Sequence, residues 1–480
     1  MSHSTHYSFS GPRIWLLSAV VGLLLGAGLA FAVPPAVLAE YGGLAIPLWL
    51  LAPFALMLGC IALMPFVHAH FWETYYPDIA FVLGGTVVSY YLLSFGAVGW
   101  HAMTHAALEY FQFIALIGSL YVVSGGVLIQ ISGRGRPIIN VLLLASGAVL
   151  ANFVGTTGAS MLLIRPFLRM NKGRMKPFHI ALFIMIVSNC GGCLTPIGDP
   201  PLFLGYLKGI PFGWTVEHLW PAWLFVNGAL LTVFFTMDSC VKTLGEANGR
   251  DETTLSIRGI PSLLILALLM ATVIFDSFIK SFVHLESVPC DAILQIALGA
   301  LAYKIANKNI LEQNSFHWHP VEEVACLFLG IFATMVPALA YLDGHAAALG
   351  LSSPTHFYFA TGALSGVLDN APTYLSFLQA AFGVTGVELT PRQMPNFLTG
   401  TFAVPESPGV TGAALLRAIS LGAVFFGAMT YIGNGPNFMV KDIAEADKAP
   451  TPSFFGYLKF ALLILLPVLI LAWAIFVRGS

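Results

Sequence analysis

From residue 14 to residue 477 the chain is a succession of apolar runs long enough to cross a hydrocarbon core, separated by polar breaks. A spanning helix needs about 20 such residues, and Phe460 to Val477, apolar on every face, is one of them. In lipid only helices and closed barrels satisfy their own backbone. A barrel needs strands of about ten residues with alternating polarity, which this pattern excludes, so the sequence predicts an all-α polytopic membrane protein. Composition agrees: 57% of the 480 residues are hydrophobic and 9% charged, against about 25% charged in a soluble domain. Lys and Arg number 21 and Asp and Glu 23, for a net charge of -2. With no basic surplus there is no nucleic-acid partner, and the expected partners are the lipid bilayer and the solutes that cross it. The six cysteines are scattered through apolar segments and do not form a disulfide framework. Residues 1–39 have the shape of a signal peptide or a first span, and the length of their apolar run favours a span.

Candidate spans run over 43–66, 77–98, 105–131, 178–208, 217–241, 259–283, 289–306, 320–342, 412–440 and 454–477. Two other segments, 137–168 and 354–383, carry Asn152-Phe153-Val154-Gly155-Thr156-Thr157-Gly158 and Asp369-Asn370-Ala371-Pro372-Thr373 at their centres. Such centres are tolerated at membrane depth only where the backbone is buried in protein or lines a cavity. Arg134 and Arg136 precede the first segment and Arg165, Arg169, Lys172, Arg174 and Lys176 follow it, so the positive-inside rule puts both its ends in the cytoplasm. It enters and leaves on one side, as a re-entrant hairpin. Treating the second likewise leaves only Lys208, Lys280, Arg392, Arg417 and Arg478, of 21 cationic residues, outside, as expected for an inner-membrane protein.

The two halves repeat. Ile197-Gly198-Asp199-Pro200-Pro201-Leu202-Phe203 aligns with Ile432-Gly433-Asn434-Gly435-Pro436-Asn437-Phe438, Thr195 with Thr430, Asn152 with Asn370, and His105/Glu109 with His319/Glu323. Each half, 40–242 and 259–480 around a cytoplasmic linker 243–258, reads as three helices, a hairpin, an interrupted helix and a closing helix. Five crossings per half is odd, so the second half is inserted upside down. That inverted repeat is a transporter plan, with interrupted elements meeting near the midplane to form the site.

The interrupted helices carry the chemistry. Gly191, Gly192, Pro196, Gly198 and Pro200 in one, and Gly433, Gly435 and Pro436 in the other, prevent continuous helical hydrogen bonding. The freed carbonyls, with Asn and Thr side chains, offer oxygen ligands to a bare Na+, while a half-helix N-terminus attracts an anion. A carboxylate at this depth costs about 2.5–3.5 kcal/mol, so Asp199 and Asp369 are expected to bind a cation or a proton and to be needed for coupled transport. Because burial disfavours a charged carboxylate, protons and cations compete there, the minimal mechanism of an exchanger. The competing reading is capping, by Asp199 of the second half-helix and by Asp369 of a hairpin arm. Glu109 and Glu323 read as helix-start carboxylates, Arg165 as a snorkelling cation, Cys190-Gly-Gly-Cys193 as small-residue packing, and His68, His70, His317 and His319 as loop residues.

The run Ser188-Asn189-x-Gly191-Gly192-x-x-x-Pro196-Ile197-Gly198-Asp199 resembles the signature of NhaD-type sodium/proton antiporters in the ion transporter superfamily. Gly198-Asp199-Pro200-Pro201 is similar to arsenite permeases and to the citrate transport group, and Ala151 to Gly158 with Arg165-Pro166 looks most like that group. The resemblance implies a homodimer with an outer scaffold and a moving transport domain made of both hairpins and both interrupted helices. It also implies ion ligands around Asn152, Thr156, Asn189, Thr195 and Asp199 in one half, and Asp369, Asn370, Thr373, Thr430 and Asn434 in the other. The expected function is sodium/proton antiport by alternating access, with Na+ and H+ as transported ions and no cofactor. The alternatives are cation-coupled symport of citrate or a dicarboxylate, oxyanion transport, and a passive channel. An intramembrane aspartyl protease is disfavoured, since Pro196 replaces the first Gly of its Gly-x-Gly-Asp signature.

Overall fold

A computed structural model describes residues 12–33, 46–241, 254–276, 289–404 and 407–479. Expectations for residues 1–11, 34–45, 242–253 and 277–288, the last including Lys280, lie outside the described residues. Nine helices among the described residues are long and apolar enough to cross a bilayer, and strands are confined to two short antiparallel ribbons. The chain is an all-α polytopic membrane protein. It divides into two compact units, Met1–Ile114 with His317–Leu349, and Ala115–Phe316 with Gly350–Ser480.

In the first unit, helix Pro12–Ala32 lies along helix Ala69–Ser94. Small residues let the backbones touch: a Cβ on Gly22 would sit 2.5 Å from the Val82 carbonyl, and Ser18 donates to Asp78 at 2.6 Å. Helix His319–His345 packs on another face of Ala69–Ser94, where a Cβ on Gly330 would meet that of Ala80 at 2.9 Å. Tyr110 donates to the Ala325 carbonyl at 2.9 Å, and Phe113 stacks on Phe328 at 4.5 Å.

The sequence reading of the third helix needs correction. It runs over Gly96–Gly125, and Leu128–Ser132 then forms a strand paired with Thr254–Arg258, the end of the expected linker. The Gly125-Gly126 pair ends the helix, and the residues from Leu128 onward pair with Thr254–Arg258 instead of continuing it. Glu109 is therefore not at a helix start; it is buried well inside Gly96–Gly125, 3.3 Å from His105. Glu323 does lie near the start of its helix, 3.9 Å from His319.

The second unit holds both hairpins and both interrupted helices. Pro137–Met170 is helical throughout except at Gly155, where φ 75° and ψ 158° break it. Only glycine adopts that conformation readily. A straight helix of 34 residues would be about 50 Å long, yet Gly135 donates to the Met170 carbonyl at 2.8 Å and Asn140 to Asn171 at 2.8 Å. The segment doubles back, as the sequence predicts. The second hairpin is Pro354–Ser365 and Asn370–Thr385, with Phe357 of one arm edge-on to Phe377 of the other at 6.4 Å. The first interrupted helix comprises Pro177–Ile186, a 3-10 turn Cys190–Leu194 and Pro200–Leu207. The second comprises Gly412–Phe426 and Gly435–Ala446. Helix Phe212–Ser239 closes the first half, and Phe454–Phe460 continues through a π turn, Ala461–Leu465, into Leu466–Phe476 to close the second.

Candidate ion site

Each hairpin is fastened to the break of its own half by the same pair of bonds. In the first half Thr195 Oγ1 donates to the Asn152 carbonyl at 2.6 Å and Thr156 N to the Gly198 carbonyl at 2.9 Å. In the second, Thr430 Oγ1 donates to the Gly366 carbonyl at 2.7 Å and Asn370 N to the Gly433 carbonyl at 3.2 Å. The structural partner of Asn370 is thus Thr156, and Asn152 corresponds to Gly366. The sequence alignment of Asn152 with Asn370 is displaced by one helical turn, whereas Thr156 and Asn370 are separated as His105 and His319 are. Glycines permit this fastening: a Cβ on Gly191 would lie 2.6 Å from the Ala148 Cα, and one on Gly192 2.5 Å from the Thr156 methyl group. Gly435, with nothing within 4 Å of its Cβ position, carries no such constraint.

The two fastened assemblies meet at Asp199, 1% exposed. Its Oδ1 accepts from Thr156 Oγ1 at 3.0 Å and Asn434 Nδ2 at 2.9 Å, and its Oδ2 from Asn370 Nδ2 at 2.7 Å. Asp199 occupies the N-cap position of Pro200–Leu207, but its side chain makes no capping bond; its oxygens are spent on both halves of the protein instead. All three donors are neutral. Beside them lie two acceptors in surplus, the amide oxygens of Asn189 and Asn370, both buried and without a hydrogen-bond partner. Asn189 uses its Nδ2 on the Ile184 carbonyl and on Asn437 Oδ1, at 2.9 and 2.7 Å. Gly427 leaves the space next to these amides open: a Cβ there would lie 3.2 Å from Asn189 Oδ1 and 3.2 Å from Asn370 Nδ2.

The freed backbone does not act as the sequence suggests. The Gly191 carbonyl is taken by Trp223 Nε1 and Asn152 Nδ2, both at 2.7 Å, that of Cys190 by Asn227 at 3.2 Å, and that of Leu194 by Thr215 at 2.8 Å. In the other break, Asn437 Nδ2 takes the Gly427 and Thr430 carbonyls, both at 2.9 Å. Unpaired backbone groups at this depth are costly, and neighbouring side chains occupy these carbonyls before an ion can. The N-terminus of the half-helix Pro200–Leu207 is equally depleted as an anion site. Pro200 and Pro201 have no N–H, and Leu202 and Phe203 donate to the Asp199 carbonyl at 3.1 and 3.4 Å. At the second hairpin arm, Asn370 N serves Gly433, Ala371 N serves Asp369, and Pro372 has none.

The family described as "Putative citrate transport" matches residues 43–477. The chain belongs to this family. No curated protein matches the sequence. Family and fold together make this member of the citrate transport family a membrane transporter and not an enzyme.

Within this family member, the structure gathers Thr156, Asn189, Asp199, Asn370 and Asn434 at one centre and gives the other expected residues different tasks. Asn152, Thr195 and Thr430 fasten hairpins to breaks. Asp369, half-buried, accepts from Ala371 N at 2.9 Å as the N-cap of its arm, the capping reading, and no hydrogen bond joins it to Asp199. Thr373 returns its hydroxyl to the Asp369 carbonyl at 2.8 Å. Cys190 and Cys193 are fully buried free thiols in the 3-10 turn, and His70 and His319 belong to helices rather than loops.

Sequence reasoning placed Asn437 in the second break but missed Trp223, Asn227 and Thr215, which hold the first. Asn227 did leave a signal, as a lone amide in an apolar stretch. It also missed a buried cluster at the root of the first hairpin: Asp238 accepts from Arg174 at 2.6 Å and Asn140 at 2.8 Å and pairs with His179 at 2.9 Å, and Asn171 accepts from Arg174 at 2.7 Å. Arg174, counted from sequence among the cytoplasmic positive charges, is 7% exposed.

Proposed function

We propose that the chain is a cation-coupled secondary transporter in which Asp199 carries the coupling ion, and that it exchanges Na+ for H+ by alternating access. One observation carries the reading: a fully buried carboxylate whose hydrogen-bond partners, Thr156, Asn370 and Asn434, are all neutral. Burying a lone charge is far costlier than burying a neutral group. The carboxyl must therefore hold either a proton or a cation, and the two are mutually exclusive. Two unspent amide oxygens beside it complete an oxygen-rich surrounding of the kind a hard cation takes. Gly427→Ala tests this surrounding, since its methyl group would crowd both amides at 3.2 Å. Na+ affinity is expected to fall several-fold with folding retained, as read by Na+ titration of the purified protein.

A second reading, symport of citrate or a similar carboxylate with the cation, is supported by the family's description and by two buried guanidinium atoms without partners, Arg165 Nη1 and Arg417 Nε. Reconstitution into liposomes with an acid lumen decides between the two. Lumenal alkalinisation on adding Na+ or Li+ alone supports exchange. No response to cations alone, with coupled accumulation of labelled citrate, replaces it by symport.

A further inference from the structure

The repeat makes the ion centre unequal in one atom group. Asp199 in the first half and Asn434 in the second occupy matching places, each immediately before the half-helix that follows its break, and they touch: Asn434 Nδ2 donates to Asp199 Oδ1 at 2.9 Å. Thr156 and Asn370, the matching hairpin residues, both bind the same carboxylate. An assembly with two equivalent places thus presents one carboxylate and one amide. Asn434 is fixed as a donor, because its Nδ2 also reaches the Ser188 carbonyl at 3.2 Å.

The other titratable groups near Asp199 are Asp369 and the free thiols of Cys190 and Cys193. Asp369 corresponds to Gly155 in the repeat, and its Oδ1 is held by Ala371 N as a helix cap. The side chains hydrogen-bonded to Asp199 are those of Thr156, Asn370 and Asn434, none of them a Lys, Arg or His.

From this we infer that the centre handles a single positive charge, one monovalent cation exchanged for one proton at Asp199, with Asn434 as the residue that sets this number by withholding a second carboxylate. In the step, the carboxyl O–H gives its proton to water, the carboxylate binds the incoming cation, and the reverse occurs on the other side, so exchange is electroneutral. The inference rests on the reading of Asp199 as the ion-handling group.

The test is calorimetric titration of the purified full chain with NaCl in two buffers of different ionisation enthalpy, which gives the protons released per Na+ bound. The expected result is about one proton per Na+, no binding in Asp199→Asn, an unchanged count in Asp369→Asn, and more than one in Asn434→Asp, where two adjacent carboxyls would titrate as a coupled pair. Two protons per Na+ in the native chain, or a lower count in Asp369→Asn, would overturn the single-charge inference and leave the exchanger reading standing. No proton-linked binding of Na+ or Li+ in the native chain would overturn both.

Discussion

Asp199→Asn is expected to abolish Na+-driven proton movement in liposomes, by about a hundredfold or more, while the protein still folds. The contrast follows from where the charge sits. The substitution removes the only charge in the Asp199–Thr156–Asn370–Asn434 hydrogen-bond set, and with it the only site in that set that can alternate between a proton and a cation. Structurally it is mild. The retained oxygen still accepts from Thr156 and Asn434, and the new amide nitrogen faces Asn370, whose own oxygen is buried and without a partner. Turning the Asn370 amide presents that oxygen as the acceptor and restores the third bond. A net change of one neutral hydrogen bond, about 0.5–1.5 kcal/mol, bounds the loss of stability, whereas the loss of function is complete. Lumenal pH after a Na+ pulse and the melting temperature in detergent measure the two sides. Full exchange in the variant would remove Asp199 from the mechanism; an unfolded variant would show that the carboxylate is structural.

The hairpins and breaks were legible in the sequence because polar and Gly/Pro residues inside apolar runs have so few physical explanations at membrane depth. Gly155, with its positive φ, and the Pro196, Pro200 and Pro201 group are where the backbone departs from a helix. Asp199 was legible as the costliest residue in its segment. Three things were not. Matching Asn152 to Asn370 by residue identity hid a shift of one helical turn, which only the backbone bonds of Thr156 and Asn370 reveal. The carbonyls freed at Cys190, Gly191 and Leu194 are capped from Phe212–Ser239, a helix whose facing side no periodicity within the break can indicate. The strand Leu128–Ser132 is five residues of apolar chain at a helix end, too short for its pattern to separate strand from helix; its partner Thr254–Arg258 lies more than a hundred positions away. In each case what was missing is a long-range contact, not a local preference.

Asp238→Ala is expected to be the most destabilising single change in the first hairpin's support, costing about 3–5 kcal/mol. Asp238 is fully buried at the end of Phe212–Ser239 and is, among the described residues, the only carboxylate partner of Arg174, whose side chain is 6% exposed, and of His179, which is fully buried. The cluster joins the start of the hairpin through Asn140, its end through Asn171, and the first turn of the broken helix through His179. Alanine leaves a guanidinium in a dry site with Nε already unpartnered, and buried charges stripped of their partner cost far more than the pair contributes when whole. The exposed pair Lys441–Glu445, at a comparable 2.9 Å, sets the contrast: breaking it should cost no more than about 1 kcal/mol. Melting of the purified protein in detergent should fall by about 3–5 °C for Asp238→Ala and hardly move for Glu445→Ala. Adding Arg174→Met to Asp238→Ala should recover part of the loss, because removing both charges also removes the stranded one. Equal melting temperatures for native and Asp238→Ala protein would show that the cluster does not hold the hairpin root. The root's position sets where Thr156 stands, so a loosened root is expected to reach Asp199 through that hairpin arm.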